Sequence, residues 1–149
     1  MKVLHIITRM NTGGPAVFLD HLTSSLANLG CESTIAYGYC ESNEIDYLET
    51  KKLSAKCIKI ASLHRSLNPY HDLKSLIKIR NIIKTIKPDL INTHTSKAGV
   101  LGRLAAKSVN RNLPVAHTFH GHLIYGYFAK YKSLIFTIIE KFMSMFTDM

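Results

Sequence analysis

Val3, Leu4, Ile6 and Ile7 form a nearly unbroken apolar run, too continuous for a strand with one wet face. The pattern predicts a strand buried on both faces of a parallel sheet. A short loop, RMNTGGP, leads into an amphipathic run in which Phe18, Leu22, Leu26 and Leu29 recur at helical spacing, closed by Gly30 where a left-handed cap is expected. Residues 32–38 read as a second strand, 41–52 as a surface loop with a helical turn, and 57–61 as a third strand before a loop over 62–68. Pro69 opens a helix over 69–87, with Asn68 as its cap and Asp72 in its first turn. Leu73, Leu76, Ile77, Ile83 and Ile86 form its expected apolar face, and Lys74, Lys78, Asn81 and Lys84 a solvated row opposite. Pro88 ends it.

Residues 89–93 read as the next buried strand, which delivers 94–97 to its carboxyl end. Ser96 is placed to cap the helix that follows, where Ala98, Gly99, Gly102, Ala105 and Ala106 are small enough for close approach to a sheet. Another strand, 113–119, delivers His120, Gly121 and His122, and a last helix over 130–147 is expected to bury Leu134, Ile135, Ile138, Ile139, Phe142, Met143 and Phe146. Strands alternating with helices predict an α/β fold with a doubly wound parallel sheet. In such sheets ligands bind beyond the carboxyl ends of the strands. The loops 9–14, 94–97 and 120–122 should meet there.

The first loop carries the first chemical suggestion. Gly13 and Gly14 suit a sharp turn where side chains would clash, and Pro15 has its φ pre-set for the start of a helix. A strand, a glycine loop and a helix N-terminus put unpaired N–H groups and a positive dipole end around a volume suited to a phosphate. The spacing is neither GxGxxG nor GxxxxGK[ST], so a tight connection without a ligand stands beside that reading.

The chain of 149 residues has room for one domain of this class and carries a net charge of +9. The charge points to an anionic neighbour: a phosphorylated ligand, an acidic membrane surface or a nucleic acid. Nothing in the sequence resembles a base-reading motif, so no nucleic-acid partner is expected. No run reaches the length of a membrane-spanning helix and no signal peptide is recognisable, which predicts a cytoplasmic protein. Cys31, Cys40 and Cys57 lack metal spacing and read as free thiols. His117, His120 and His122 invite a zinc reading, but with no acidic or cysteine ligand nearby no metal is expected.

KVLHIIT with GGPA, KPDLINTHTSKAGVLGRLAA at 87–106 and PVAHTFHGH at 114–122 together resemble the N-terminal domain of family-4-like retaining glycosyltransferases of the GT-B fold. These bacterial enzymes, built of two Rossmann-like domains, make capsule, lipopolysaccharide and exopolysaccharide. The resemblance covers essentially the whole chain, 1–149. It implies hexosyl transfer from a nucleotide sugar to a lipid-linked or polysaccharide acceptor, with no cofactor beyond that co-substrate. It further implies that Gly13 and Gly14 approach the donor diphosphate and that His120 is the catalytic residue, beside the donor sugar and the acceptor hydroxyl. Arg9, His94, Ser96, Lys97 and Gly121 would line the acceptor side, Lys97 being suited to a phosphorylated or lipid-linked acceptor.

By the same resemblance the chain stops where such a domain enters its last strand, short of the donor-binding half and its E-x7-E motif. The sequence reads as half an enzyme: a fragment, a relic, or one chain of a split enzyme with a separate donor-binding partner. The final helix, with Lys130, Lys132 and Lys141, could also rest peripherally on an anionic membrane. The alternative reading is a non-catalytic Rossmann-like module that binds a phosphorylated ligand or a partner chain.

Overall fold

The computed structural model describes residues 1–121 and 130–149. Five parallel strands form one sheet: β1 (Lys2–Ile7), β2 (Glu32–Tyr37), β3 (Lys56–Lys59), β4 (Leu90–His94) and β5 (Val115–Thr118). Their spatial order is β3-β2-β1-β4-β5, so the winding reverses direction between β1 and β4. In register, Ile7 stands opposite His94 and His94 opposite Thr118, so β1, β4 and β5 all end at one rim.

The helices are α1 (Gly14–Asn28), the single turn α2 (Tyr47–Thr50), α3 (Pro69–Ile86), α4 (Ser96–Val109) and α5 (Lys130–Met143). Because side chains alternate across a strand, β1 splits its residues between two cores. Leu4 and Ile6 join Ile79, Ile83, Ile91, Ala98 and Ala105 under α3 and α4. Ile7 joins Met10, Ala16, Leu19 and Ile35 under α1. Each Leu, Ile or Met side chain among these, taken fully out of water, stabilises the fold by about 1.5–3 kcal/mol.

Several local expectations hold. The Asn68 side chain accepts from the N–H groups of Tyr70 and His71 to cap α3, and Gly30 closes α1 with φ 74°. Others need correction. The face of α1 that is buried is Ala16, Leu19, Asp20 and Thr23, not the Phe18–Leu29 stripe: Phe18 and Leu29 are exposed. In α3 the sheet takes Ser75, Ile79, Ile82 and Ile83, while Leu73 and Ile77 face solvent. Thr95, not Ser96, occupies the N-cap of α4, and no side chain bonds there as a cap. Gly13 and Gly14 are not needed to avoid a clash: an added Cβ at Gly13 would meet only ordinary contacts, and at Gly14 nothing lies within 4 Å.

The largest departure is α5. Met143 is buried, but Leu134, Ile135, Ile138, Ile139 and Phe142 are exposed. What docks this helix is polar. Arg103 of α4, 1% exposed, donates from Nη2 to both carboxylate oxygens of Glu140, at 3.1 and 2.8 Å, and from Nε to the Gly99 carbonyl. The last residues then run along the free edge of β5, with Asp148 N–H donating to the Val115 carbonyl and His117 N–H to the Met149 carbonyl.

Candidate functional site

The reversal between β1 and β4 opens a crevice at the carboxyl rim, where doubly wound sheets bind ligands. Two helices begin at this rim. At the start of α1 no described residue accepts from the N–H groups of Gly13, Gly14 or Ala16. At the start of α4 the same holds for Ser96 and Lys97. Each terminus carries partial positive charge, so the crevice favours an anion.

The floor between the two termini is a hydroxyl chain. Thr95 Oγ1 donates to the His94 carbonyl, which leaves it to accept from Thr8 Oγ1 at 2.7 Å. Thr8 Oγ1 in turn accepts from Ala98 N–H at 3.2 Å. Thr95 has φ 65°, a conformation that a β-branched residue rarely adopts, and this chain holds it there.

Three histidines line up on the α1 side of the sheet. His5 Nδ1 lies 3.3 Å from His94 Nε2, and His94 Nδ1 lies 2.9 Å from His120 Nε2. His5 and His94 are 1% and 0% exposed, and His120 is half-buried. The ring of Phe18, one turn into α1, stands edge-on to His120 with centroids 5.3 Å apart, and closes over His94 at 6.3 Å. Phe18 is therefore not a core residue but the wall that ties α1 to the histidines. Burial penalises the charged imidazole, pushing His5 down to about 4 and lowering His120. His94 falls to about 2, from burial first and then from its histidine neighbours. All three are neutral at pH 7.

The remaining site residues are placed less evenly. Arg9 is engaged within the chain, its guanidinium 2.8 Å from Glu44 and its Nε donating to Asn11. Lys97 is also engaged: it pairs with Asp72 at the start of α3 and donates to the Ser66 carbonyl. The Ser96 hydroxyl has no hydrogen-bond partner among the described residues. Gly121, exposed, has φ 155°, which favours glycine. His117 points to the opposite face of the sheet, where its Nδ1 meets Thr93 Oγ1 at 2.8 Å and its ring packs on Gly99. His122 lies outside the described residues. Among those described, no group of three His, Cys, Asp or Glu side chains could hold a metal.

The sequence pattern assigns no site role to His5, Thr8 or Thr95, and it places Phe18 on the apolar stripe of the first helix. One signal was available for His5. An ionisable side chain inside a strand buried on both faces must find a partner there, because burying an unpaired polar group is costly.

Comparison with known proteins agrees with this fold. The chain is 35% identical over 98 residues to the UDP-Gal:alpha-D-GlcNAc-diphosphoundecaprenol alpha-1,3-galactosyltransferase of Escherichia coli, a match covering 65% of this chain and 24% of that one. Among solved structures, the UDP-GlcNAc 2-epimerase of Neisseria meningitidis superposes with TM-score 0.67 at 16% identity, covering 99% of this chain and 39% of its own. MurG of Acinetobacter baumannii does so with TM-score 0.64 at 15% identity, covering 99% and 39%. These likenesses show a Rossmann-like α/β fold, and the chain spans well under half the length of each. The profile of Glycosyltransferase Family 4 matches residues 12–148, and the chain belongs to that family.

Proposed function

We propose that this chain is the acceptor-side half of a glycosyltransferase that moves a hexose from a nucleotide sugar to a lipid-linked glycan precursor. One observation carries the reading: the N-termini of α1 and α4 and the His120 imidazole meet at the point where the sheet reverses direction. The family membership and the E. coli relative, named for transfer from UDP-galactose to a diphosphoundecaprenol-linked GlcNAc, support the substrate class.

In this reading the free N–H groups of Gly13 and Gly14 face the donor diphosphate. His120, neutral and wedged between Phe18 and His94, stands beside the donor sugar and the acceptor hydroxyl. Ser96 and Gly121 line the acceptor side directly. Arg9, Lys97 and His94 act from behind, since their charged or polar atoms are already engaged by Glu44, Asp72 and the neighbouring imidazoles. The donor nucleotide is gripped by a second domain, in the same polypeptide or a separate chain. No helix among the described residues is long and apolar enough to cross a membrane. In this reading the lipid-linked acceptor is met peripherally, on the cytoplasmic face.

Calorimetric titration tests the assignment. The chain should bind a water-soluble polyprenyl-diphosphate GlcNAc analogue saturably and UDP-galactose far more weakly, and His120→Ala should weaken the former about tenfold, the order expected for one buried hydrogen bond. Binding of neither, or of the nucleotide sugar alone, overturns the acceptor-side reading.

A further inference from the structure

The three imidazoles are linked end to end, and an N···N hydrogen bond between neutral rings needs one N–H and one bare nitrogen. Each neutral ring carries one proton. The two links therefore allow only two arrangements. In the outward one, His5 Nδ1–H donates to His94 Nε2, His94 Nδ1–H donates to His120 Nε2, and His120 keeps its proton on Nδ1. In the inward one every proton sits on Nε2, and His120 shows a bare Nδ1.

The far end of the chain decides between them. His5 Nε2 is buried with no hydrogen-bond partner among the described residues. The inward arrangement would leave an N–H at that atom, and the outward one only a lone pair. Orphaned buried N–H groups are rarer in folded proteins than under-used acceptors, so the outward arrangement is the more stable. His120 Nδ1 has no partner among the described residues and is the ring nitrogen left for a ligand.

We propose that His5 and His94 are positioning residues that hold His120 in its Nδ1–H tautomer, so that it offers a hydrogen-bond donor, and not a base, to an oxygen of the bound sugar or phosphate. The identity of that oxygen rests on the function proposed above, whereas the tautomer rests on the imidazole geometry alone. Protonating His120 would require reversing the whole chain and placing an N–H at the buried end. Burial already disfavours the cation at all three rings.

Long-range ¹H–¹⁵N correlation spectra of the uniformly labelled chain at pH 7.5 test this without any substrate. Nδ1 should be the protonated nitrogen of His5, His94 and His120 alike, with N–H···N couplings from His5 to His94 and from His94 to His120. Protons on Nε2 in all three, or rapid exchange between tautomers, would overturn it. His94→Phe removes the donor and should return His120 to the Nε2–H form that free imidazoles prefer. His94→Asn, whose amide keeps an N–H near the position of Nδ1, should restore the Nδ1–H form. An unchanged His120 spectrum in His94→Phe would show that His94 does not set the tautomer, and the wild-type spectrum decides the question even if that variant fails to fold. Because no ligand enters these measurements, failure of the substrate assignment would leave their outcome intact.

Discussion

Thr8 and Thr95, 87 positions apart in the chain, share a hydroxyl–hydroxyl hydrogen bond of 2.7 Å that ties the end of β1 to the start of α4. Thr8 is 6% exposed, so water does not replace a lost partner easily. Thr8→Val keeps the shape and removes the hydroxyl. It leaves the Ala98 N–H without its acceptor and frees Thr95, at φ 65°, to relax. We expect a loss of about 1–3 kcal/mol in urea denaturation, the cost of a buried group left unsatisfied. A loss below about 0.5 kcal/mol would show that the chain of hydroxyls does not hold the crevice floor.

Arg103 and Glu140 make a second long-range tie, and the two halves of the pair should not cost the same. The Arg103 side chain is 2% exposed and that of Glu140 16%. Glu140→Ala leaves a buried guanidinium with only the Gly99 carbonyl and the Thr147 hydroxyl, a change expected to cost about 3 kcal/mol. Arg103→Met removes the charge and fills much of the space, while Glu140 can turn to water. It should cost less. Equal losses in thermal melts of the two variants would contradict this account of how α5 is docked.

These ties explain what could be read from the sequence and what could not. Element types and their order follow from local periodicity, and the cap at Asn68 and the stop at Gly30 follow from local backbone chemistry. The buried faces of α1 and α3 do not, because the apolar residues of each helix spread over an arc wider than the part that tertiary packing covers. Leu73 and Ile77 fit the periodic stripe as well as Ile79 and Ile82 do, yet only the latter are buried in the core. The Arg103–Glu140 pair is not legible locally, because nothing near Arg103 in sequence announces a partner 37 positions away. His120 and His94 enter as candidates through the family resemblance, on loops that follow predicted strands. His5, behind them, becomes legible only once strand order puts β1 beside β4.

Acid should destabilise the protein earlier than its carboxylates require. His5 and His94 take up protons in the folded chain only near pH 4 and 2, whereas unfolded imidazoles do so near 6.5. Below pH 6.5 the unfolded state therefore binds more protons than the native one, and stability falls as pH falls. Above about pH 7.5 these rings are essentially unprotonated in both states and this dependence disappears. Each histidine contributes a slope approaching about 1.4 kcal/mol per pH unit between roughly pH 6 and its folded value. Urea midpoints measured at pH 8.5, 7.5, 6.5, 5.5 and 4.5 should stay level across the first two, dip slightly at 6.5 and then drop at each further step. A level profile down to pH 4.5 would mean that these rings are hydrated.

Gly14 and Gly102 separate folding from ligand binding. A Cβ at Gly102 would lie 2.6 Å from Thr93 Cγ2 and 3.2 Å from Ile6 Cδ1, so α4 must move off the sheet. Gly102→Ala should cost about 1–3 kcal/mol, as overpacking does. At Gly14 an added methyl meets nothing within 4 Å, and alanine suits the first turn of a helix better than glycine. Gly14→Ala should fold as well as the parent, or better by a few tenths of a kcal/mol. If the donor diphosphate comes close to this backbone, that methyl occupies the ligand's space. Transfer measured with the donor-binding half present should then show a raised KM for the nucleotide sugar in a variant whose melting temperature has not fallen. Unchanged KM would move the diphosphate away from α1 and toward the N-terminus of α4, where Ser96 and Lys97 hold the other free N–H groups of the crevice.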